Sequence, residues 1–332
     1  MKKYFAVFAA ALSLSAAAQK APVFTIKKTY HIQSPGGWDY LAVNNGKLYV
    51  SHGTQVNILN EATGDSVGVI PNTLGVHGIA FDNDLGRGYT SNGRSNNVTV
   101  FDLKNAQVLT QISTGENPDA ILFEPHAKTI ITCNGRSKTL SVIEPTTNRV
   151  VKTIDVGGKP EEAASDGEGK LFVNLEDKNE IVVVDLQTHS VIHRWSLSPG
   201  EGPTGLAYDK ETKRLFAGCE QLLVVMNAEN GAVVAKLKIG NGCDGVVFDA
   251  KQKLIFTSNG EGTLSVIKEG SPEKFTLLGN FPTKRGARTI AYNEKTGTIF
   301  LPTAEFEAPV SEGGRPRMKP GSFQVLVIKA DQ

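Results

Sequence analysis

The sequence predicts an all-β fold built as a ring of seven similar sheets, and three observations carry that expectation. First, a short apolar run closed by an acid or amide recurs as DYLAVN, HGIAFD, DAILFE, EEAASD, TGLAYD, DGVVFD and RTIAYN, ending at Asn44, Asp82, Glu124, Asp166, Asp209, Asp249 and Asn293. The steps between those ends are 38, 42, 42, 43, 40 and 44 residues. Second, every unit holds further runs of Val, Ile, Thr and aromatic residues bounded by Gly, Asn, Asp and Pro, which is the pattern of short strands. Third, no stretch keeps a helical period for more than a turn or two. Four antiparallel strands repeated radially at this spacing make a β-propeller blade.

Within a unit the first run is followed by a polar turn and a second run, such as RGYTSNG, TIITCNG or LIFTSNG. A tight loop leads to a third, such as NVTVFD, TLSVIE, EIVVVD or QLLVVMN, and then to a fourth, such as QVLTQIS, RVVKTIDV or AVVAKLKI. The last unit ends after its third run, SFQVLVIK. FTIKKTYHI, from Phe24 to Ile32, precedes the first unit and supplies the missing outer strand. Pairing it into the last blade closes the ring and leaves no long open edge. The expectation is therefore a seven-bladed β-propeller of four-stranded antiparallel blades, forming one domain over residues 19–332.

Residues 1–18 read differently. Lys2 and Lys3 precede an apolar stretch from Tyr4 to Leu14, and Ala16, Ala17 and Ala18 follow. This is the form of a secretory signal peptide cut after Ala18, so the mature chain is expected to be periplasmic or secreted, with no membrane span. Removing the two lysines takes the formal charge from +1 to −1. Such a balance gives no general attraction to nucleic acid or to a membrane surface. Cys133, Cys219 and Cys243 are too few for a disulfide framework. Cys133 reads as a small core residue, and a bridge between Cys219 and Cys243 is left open.

The wording of the repeat, YTSNGRSNNVTVFDLKNAQVLTQISTGENPDAILFE and ITCNGRSKTLSVIEPTTNRVVKTIDVGGKP, resembles the YVTN-type propeller repeat. Over nearly all of the mature length the chain resembles the exported YncE-like family. That resemblance implies a seven-bladed propeller that binds nucleic acid, a ligand or a protein, and it implies no settled chemistry.

Propeller topology turns repeat position into place. Residues at the start of each first strand converge on one mouth of the central channel: Asp39, His77, Asp119, Glu161, Thr204, Asp244 and Arg288. Residues at the end of each second strand form a neighbouring set: His52, Asn92, Asn134, Leu175, Cys219, Asn259 and Thr303. The repeated asparagines read as structural, since Asn satisfies backbone groups in turns. The first set varies in charge and size, so it marks the candidate ligand site, with Trp38 beside it as a surface for stacking and His52 as a further member. Asp39, His52 and His77 are the candidate ligands of a divalent metal, of the Zn or Mn type; no other cofactor is expected. Arg94 and Arg136, in the NGRS loops, are candidate anion contacts, and Gly93 and Gly135 read as turn glycines. Ala304 to Gly321 interrupts the last unit. It reads as a lid over the mouth, anchored by Phe306 and carrying Arg315 and Arg317.

These features favour a non-catalytic, monomeric propeller binding a small ligand or a protein segment at the mouth. A metal-assisted hydrolase or lactonase using the same mouth is the alternative; HExxH and CxxC motifs are absent. Single-stranded nucleic-acid binding, a third reading, calls for basic grooves interleaved with aromatics. An acidic mouth in a chain with 7% aromatic residues opposes it.

Overall fold

The computed structural model describes residues 22–308 and 317–331. The signal-peptide assignment and Arg315 lie outside the described residues. Seven four-stranded sheets form in chain order, each with its first strand innermost. Blade 1 consists of Trp38–Asn44, Lys47–His52, Gln55–Asn60 and Ser66–Ile70. Blades 2 to 6 repeat this plan. Blade 7 takes Ala291–Asn293, Thr298–Thr303 and Gln324–Ala330 from the C-terminal part and Phe24–His31 from the N-terminal part. That closing strand pairs antiparallel from Phe24 opposite Ala330 to His31 opposite Gln324. The Tyr30 hydroxyl then donates to the Glu61 carbonyl at 2.9 Å, tying the closed blade to blade 1. Among the described residues the single helical element is a 3-10 turn at Glu176–Lys178, and no helix is long and apolar enough to cross a membrane.

The middle strands of each blade are covered on both faces by neighbouring blades, so they are apolar almost throughout. Tyr49, Val56 and Ile58 of blade 1 pack with Ile79 and Phe101 of blade 2, and the other clusters repeat this between successive blades. Each buried side chain of this size contributes about 1.5–3 kcal/mol. Outer strands have one face in solvent and alternate, as in Val108–Ser113. All three cysteines are buried and unbonded. Cys133 belongs to a core cluster, as its strand position suggested.

A bulge at the start of the first strand decides where the mouth side chains go. In blade 2, Val76 pairs with Asn92 and the next pair is Ile79 with Thr90, so Ser91 opposes both His77 and Gly78. The same skip separates Trp38 from Leu41, Pro118 from Ile121 and Pro160 from Ala163, and a shorter one separates Cys243 from Gly245. In blades 5 and 7 the ladder begins only after Thr204 and Arg288. The mouth residue of every blade is thus off the ladder and re-aimed toward the axis.

The backbone groups that the bulge frees are satisfied by the opposing residue. Ser91 Oγ accepts from the Gly78 N–H at 2.8 Å and donates to the Asp119 carbonyl of the next blade. Ser51 accepts from the Asp39 N–H at 3.1 Å, and Ser258 donates to the Arg288 carbonyl. Burying these groups unpaired would cost about 1–3 kcal/mol each.

Candidate functional site at the channel mouth

Asp39, His77 and Asp119, from blades 1, 2 and 3, meet at the mouth. His77 Nδ1 lies 2.6 Å from Asp39 Oδ2 and 3.7 Å from Asp119 Oδ1. These three donor atoms all lie within 4.8 Å of one another. Arg288 reaches in from blade 7, its Nε 2.5 Å from Asp244 Oδ2 and its terminal nitrogen 3.3 Å from Asp39 Oδ1. Five of the seven positions aligned from the repeat therefore form one continuous charged cluster.

The environment shifts the protonation of His77, Asp119, Asp244 and Arg288. Burial opposes a charged His77 ring, but the Asp39 hydrogen bond and the charges of Asp119 and Asp39 outweigh it, so the ring protonates above the ordinary histidine range. Burial pushes Asp119 up to about 6, against the opposing pull of His77. Asp244 is raised by burial despite its Arg288 partner. Burial works against the Arg288 charge, and Asp244 and Asp39 more than restore it.

Glu161, the fourth aligned acid, is buried and joined to Lys159, which also contacts Glu176. Burial and the Asp119 charge raise the Glu161 carboxyl, while Lys159 pulls it down. The sequence reading missed Lys159, two residues ahead of the aligned position. It also missed Glu162, which the bulge places in the channel with Tyr40. Burial, then Asp119, pushes Glu162 up to about 8. Burial, then Glu162, raises the Tyr40 hydroxyl well above its ordinary range. A signal for both was present: at their repeat position the other blades have Gly78, Ala120, Gly205, Gly245 and Thr289.

His52 does not join the cluster, which corrects its place among the mouth and metal candidates. It is fully buried, its Nδ1 is 2.6 Å from Ser34 Oγ, and its Nε2 is 2.8 Å from the Gly36 carbonyl. Its ring stacks on Phe323 at 4.0 Å. Both nitrogens are used locally, and the donor atom that lies close to those of Asp39 and His77 is that of Asp119. Trp38 is half-buried between Phe323, at 5.3 Å, and Phe306, at 6.2 Å. Its faces are thus partly occupied by the chain itself.

In the inserted segment the Phe306 ring faces Trp38, and Phe306 pairs antiparallel with Met318. The Glu307 N–H donates to the Arg317 carbonyl and the Lys319 N–H to the Glu305 carbonyl, both at 2.8 Å. The described part of the insert is therefore a short paired ribbon rising beside the Trp38 side of the mouth, with Arg317 exposed.

The NGRS loops resolve into separate roles. Arg94 and Arg136 are exposed. The left-handed turn residues are Asn96 and Lys138, not Gly93 and Gly135. Gly93 is required by close approach, since a Cβ there would lie 2.6 Å from His77 Nε2 and 2.8 Å from Asn117 Oδ1. Asn92 accepts from Thr90 at 2.9 Å and donates to Asn97 and Thr99, each at 2.8 Å. Asn134 and Asn259 repeat the arrangement with Thr132 and Ser141, and with Thr257 and Ser265.

Neither a protein-family model nor a curated protein sequence matches the chain. Solved structures match it in fold. One is described as Kuenenia stuttgartiensis hydrazine synthase, with 16% identity over 82% of this chain and 94% of that one, and a TM-score of 0.72. Another, described as the crystal structure of the mitotic checkpoint complex, has 12% identity over 100% of this chain and 99% of that one, with a TM-score of 0.77. Likeness at these identities concerns the seven-bladed architecture alone.

Proposed function

We propose that this chain is an exported, non-catalytic propeller of the YVTN-repeat, YncE-like kind that binds a cationic small ligand, or a cationic group on a protein segment, at the channel mouth. The observation that carries the reading is an excess of acid. Asp39, Asp119, Asp244, Glu161 and Glu162 gather at the mouth and upper channel, against the permanent cations Arg288 and Lys159. A partly buried group of carboxyls held this close is stabilised by an incoming positive charge. The same excess disfavours a phosphate-rich partner such as single-stranded nucleic acid. Export rests on the basic and apolar N-terminal sequence, and N-terminal sequencing of the secreted protein tests the cut after Ala18.

Isothermal titration of the mature protein with small amines and, as a control, small carboxylates tests the binding site. The triple replacement of Asp39 and Asp244 by Asn and His77 by Gln is expected to abolish amine binding while the protein stays folded. Undiminished binding in that variant places the ligand elsewhere.

A divalent cation is the second reading, favoured by the imidazole and two carboxylates of His77, Asp39 and Asp119. This donor set suits Zn or Mn. Asp39, His77 and Asp119 would hold the ion, and a hydrolase reading depends on it. Metal analysis after dialysis decides it, a stoichiometric ion being the supporting result.

A further inference from the structure

We infer that the channel beneath the mouth holds a second, deeper subsite for a primary ammonium group, formed by Glu162 and Tyr40. The inference rests on the cationic-ligand reading above and extends it from the charge of the ligand to its chemical class.

A cavity of ≈ 200 Å³ lies on the axis, lined by Tyr40 and Glu162 together with small and apolar residues that include Gly78, Ala120, Leu206 and Ile290. Packing explains why the lining is small. A Cβ on Gly78 would stand 3.1 Å from the Ile121 nitrogen of the next blade, one on Gly245 3.1 Å from the Ile290 nitrogen, and one on Gly205 2.5 Å from the Val246 nitrogen. At these three glycines the inner edges of neighbouring blades are too close for a side chain.

Packing does not explain why blades 1 and 4 put a phenol and a carboxyl at the same repeat position. In a ring of seven these two blades stand across the channel from each other. Among the described residues no side chain forms an ion pair with Glu162. The backbone N–H of Ala163 is the donor that reaches it. A carboxyl lodged among glycines and aliphatic side chains is costly unless a partner arrives.

The lining selects the partner. One carboxyl and one phenol are too few oxygens for a hard divalent ion, which takes about six or more. An alkylammonium fits better. Its charge pairs with Glu162, its N–H groups donate to the carboxylate and to the Tyr40 oxygen, and the phenol ring offers a cation–π face. Its methylene stem lies along Leu206 and Ile290. The cavity has room for such a head and stem, and the acidic mouth above draws it in. A free amine and a lysine side chain of a peptide share this chemistry.

NMR titration of the mature protein separates the outcomes, using n-butylamine, n-butanol as its neutral counterpart and Nα-acetyl-lysine methylamide as the peptide-like arm. The expected result is saturable binding of n-butylamine but not n-butanol, weakened at least tenfold by Glu162→Gln and several-fold by Tyr40→Phe. Both variants are to be checked for a folded spectrum. Tighter binding of the lysine amide than of n-butylamine identifies a peptide as the source, and the reverse a free amine. Equal affinity in wild type and in both variants overturns the subsite. If the Asp39, His77 and Asp244 replacements then remove binding, the mouth reading survives without it. Failure of both amines to bind the wild-type protein overturns the subsite. The mouth reading is then judged by its own isothermal titration, in which the ligand does not need to enter the channel.

Discussion

Two sets of positions, facing each other across the first two strands of the blades, behave in opposite ways. At the end of the second strand, Asn92, Asn134 and Asn259 make nearly the same hydrogen bonds in three different blades. At the start of the first strand, Asp39, His77, Asp119, Asp244 and Arg288 pair with one another across blades, and Glu161 pairs with Lys159. Both sets are polar and largely shielded. The asparagines close a local turn that every blade must make, so one solution serves repeatedly. The mouth residues lie off the ladder, so backbone pairing does not fix their identities. Repetition here marks scaffolding, and its absence marks positions that the blade does not constrain.

The comparison breaks if the asparagines prove dispensable. Asn134→Leu is expected to cost about 2–3 kcal/mol in urea unfolding, because it strands the buried hydroxyls of Thr132 and Ser141. Amine binding below the unfolding midpoint should persist. A cost under about 0.5 kcal/mol would remove the scaffolding role.

The next effect is pH-dependent and comes from Glu162. Its carboxyl is held up to about 8 in the folded protein against an ordinary 4.5. The folded state therefore keeps a proton that the unfolded chain has lost, and stability falls as pH rises from about 4.5 through 8. Glu162→Gln removes this contribution. At pH 9 the variant should be more stable than wild type by roughly 2 kcal/mol, well below the full shift because channel water screens the charge. Parallel stability profiles of the two proteins from pH 5 to 9 would contradict it.

Gly93→Ala sharpens the comparison, because it joins the two sets. The added methyl occupies the space of His77 Nε2 and Asn117 Oδ1, at a cost of about 1–2 kcal/mol. Histidine NMR should then show the His77 titration moving back toward its ordinary range as the ring leaves Asp39. An unchanged titration would mean that the loop yields instead of the ring. Arg94→Ala is the smallest change. An exposed side chain outside both sets should alter stability by less than about 0.5 kcal/mol, and amine binding should stay as in wild type.

Most of the fold was legible because a propeller is a local pattern written seven times. Strand alternation, the step of about 42 residues and the placement of Phe24 to Ile32 needed no long-range information. The mouth was legible one level down, since aligning the repeats picked out Asp39, His77, Asp119, Asp244 and Arg288 together. His52 was misplaced because its ring direction depends on Ser34 and Gly36, which belong to the connection from the closing strand and have no counterpart in other blades. Glu162 was passed over for Glu161 because the period-two rule fails across a bulge, where two successive residues leave the ladder.

By itself, then, the sequence determined the number of blades, the closure of the ring and the circle of positions that face one another. These follow from hydrophobic alternation and repeat spacing, which act between residues near in the chain. Only the tertiary structure decided which charges meet: that Arg288 bridges Asp244 and Asp39, that Lys159 claims Glu161, and that Tyr40 and Glu162 share the channel. Arg288 and Asp39 are 249 positions apart in sequence. The interaction of charges depends on distances of a few ångströms and on the water removed around them, and ring closure alone sets both.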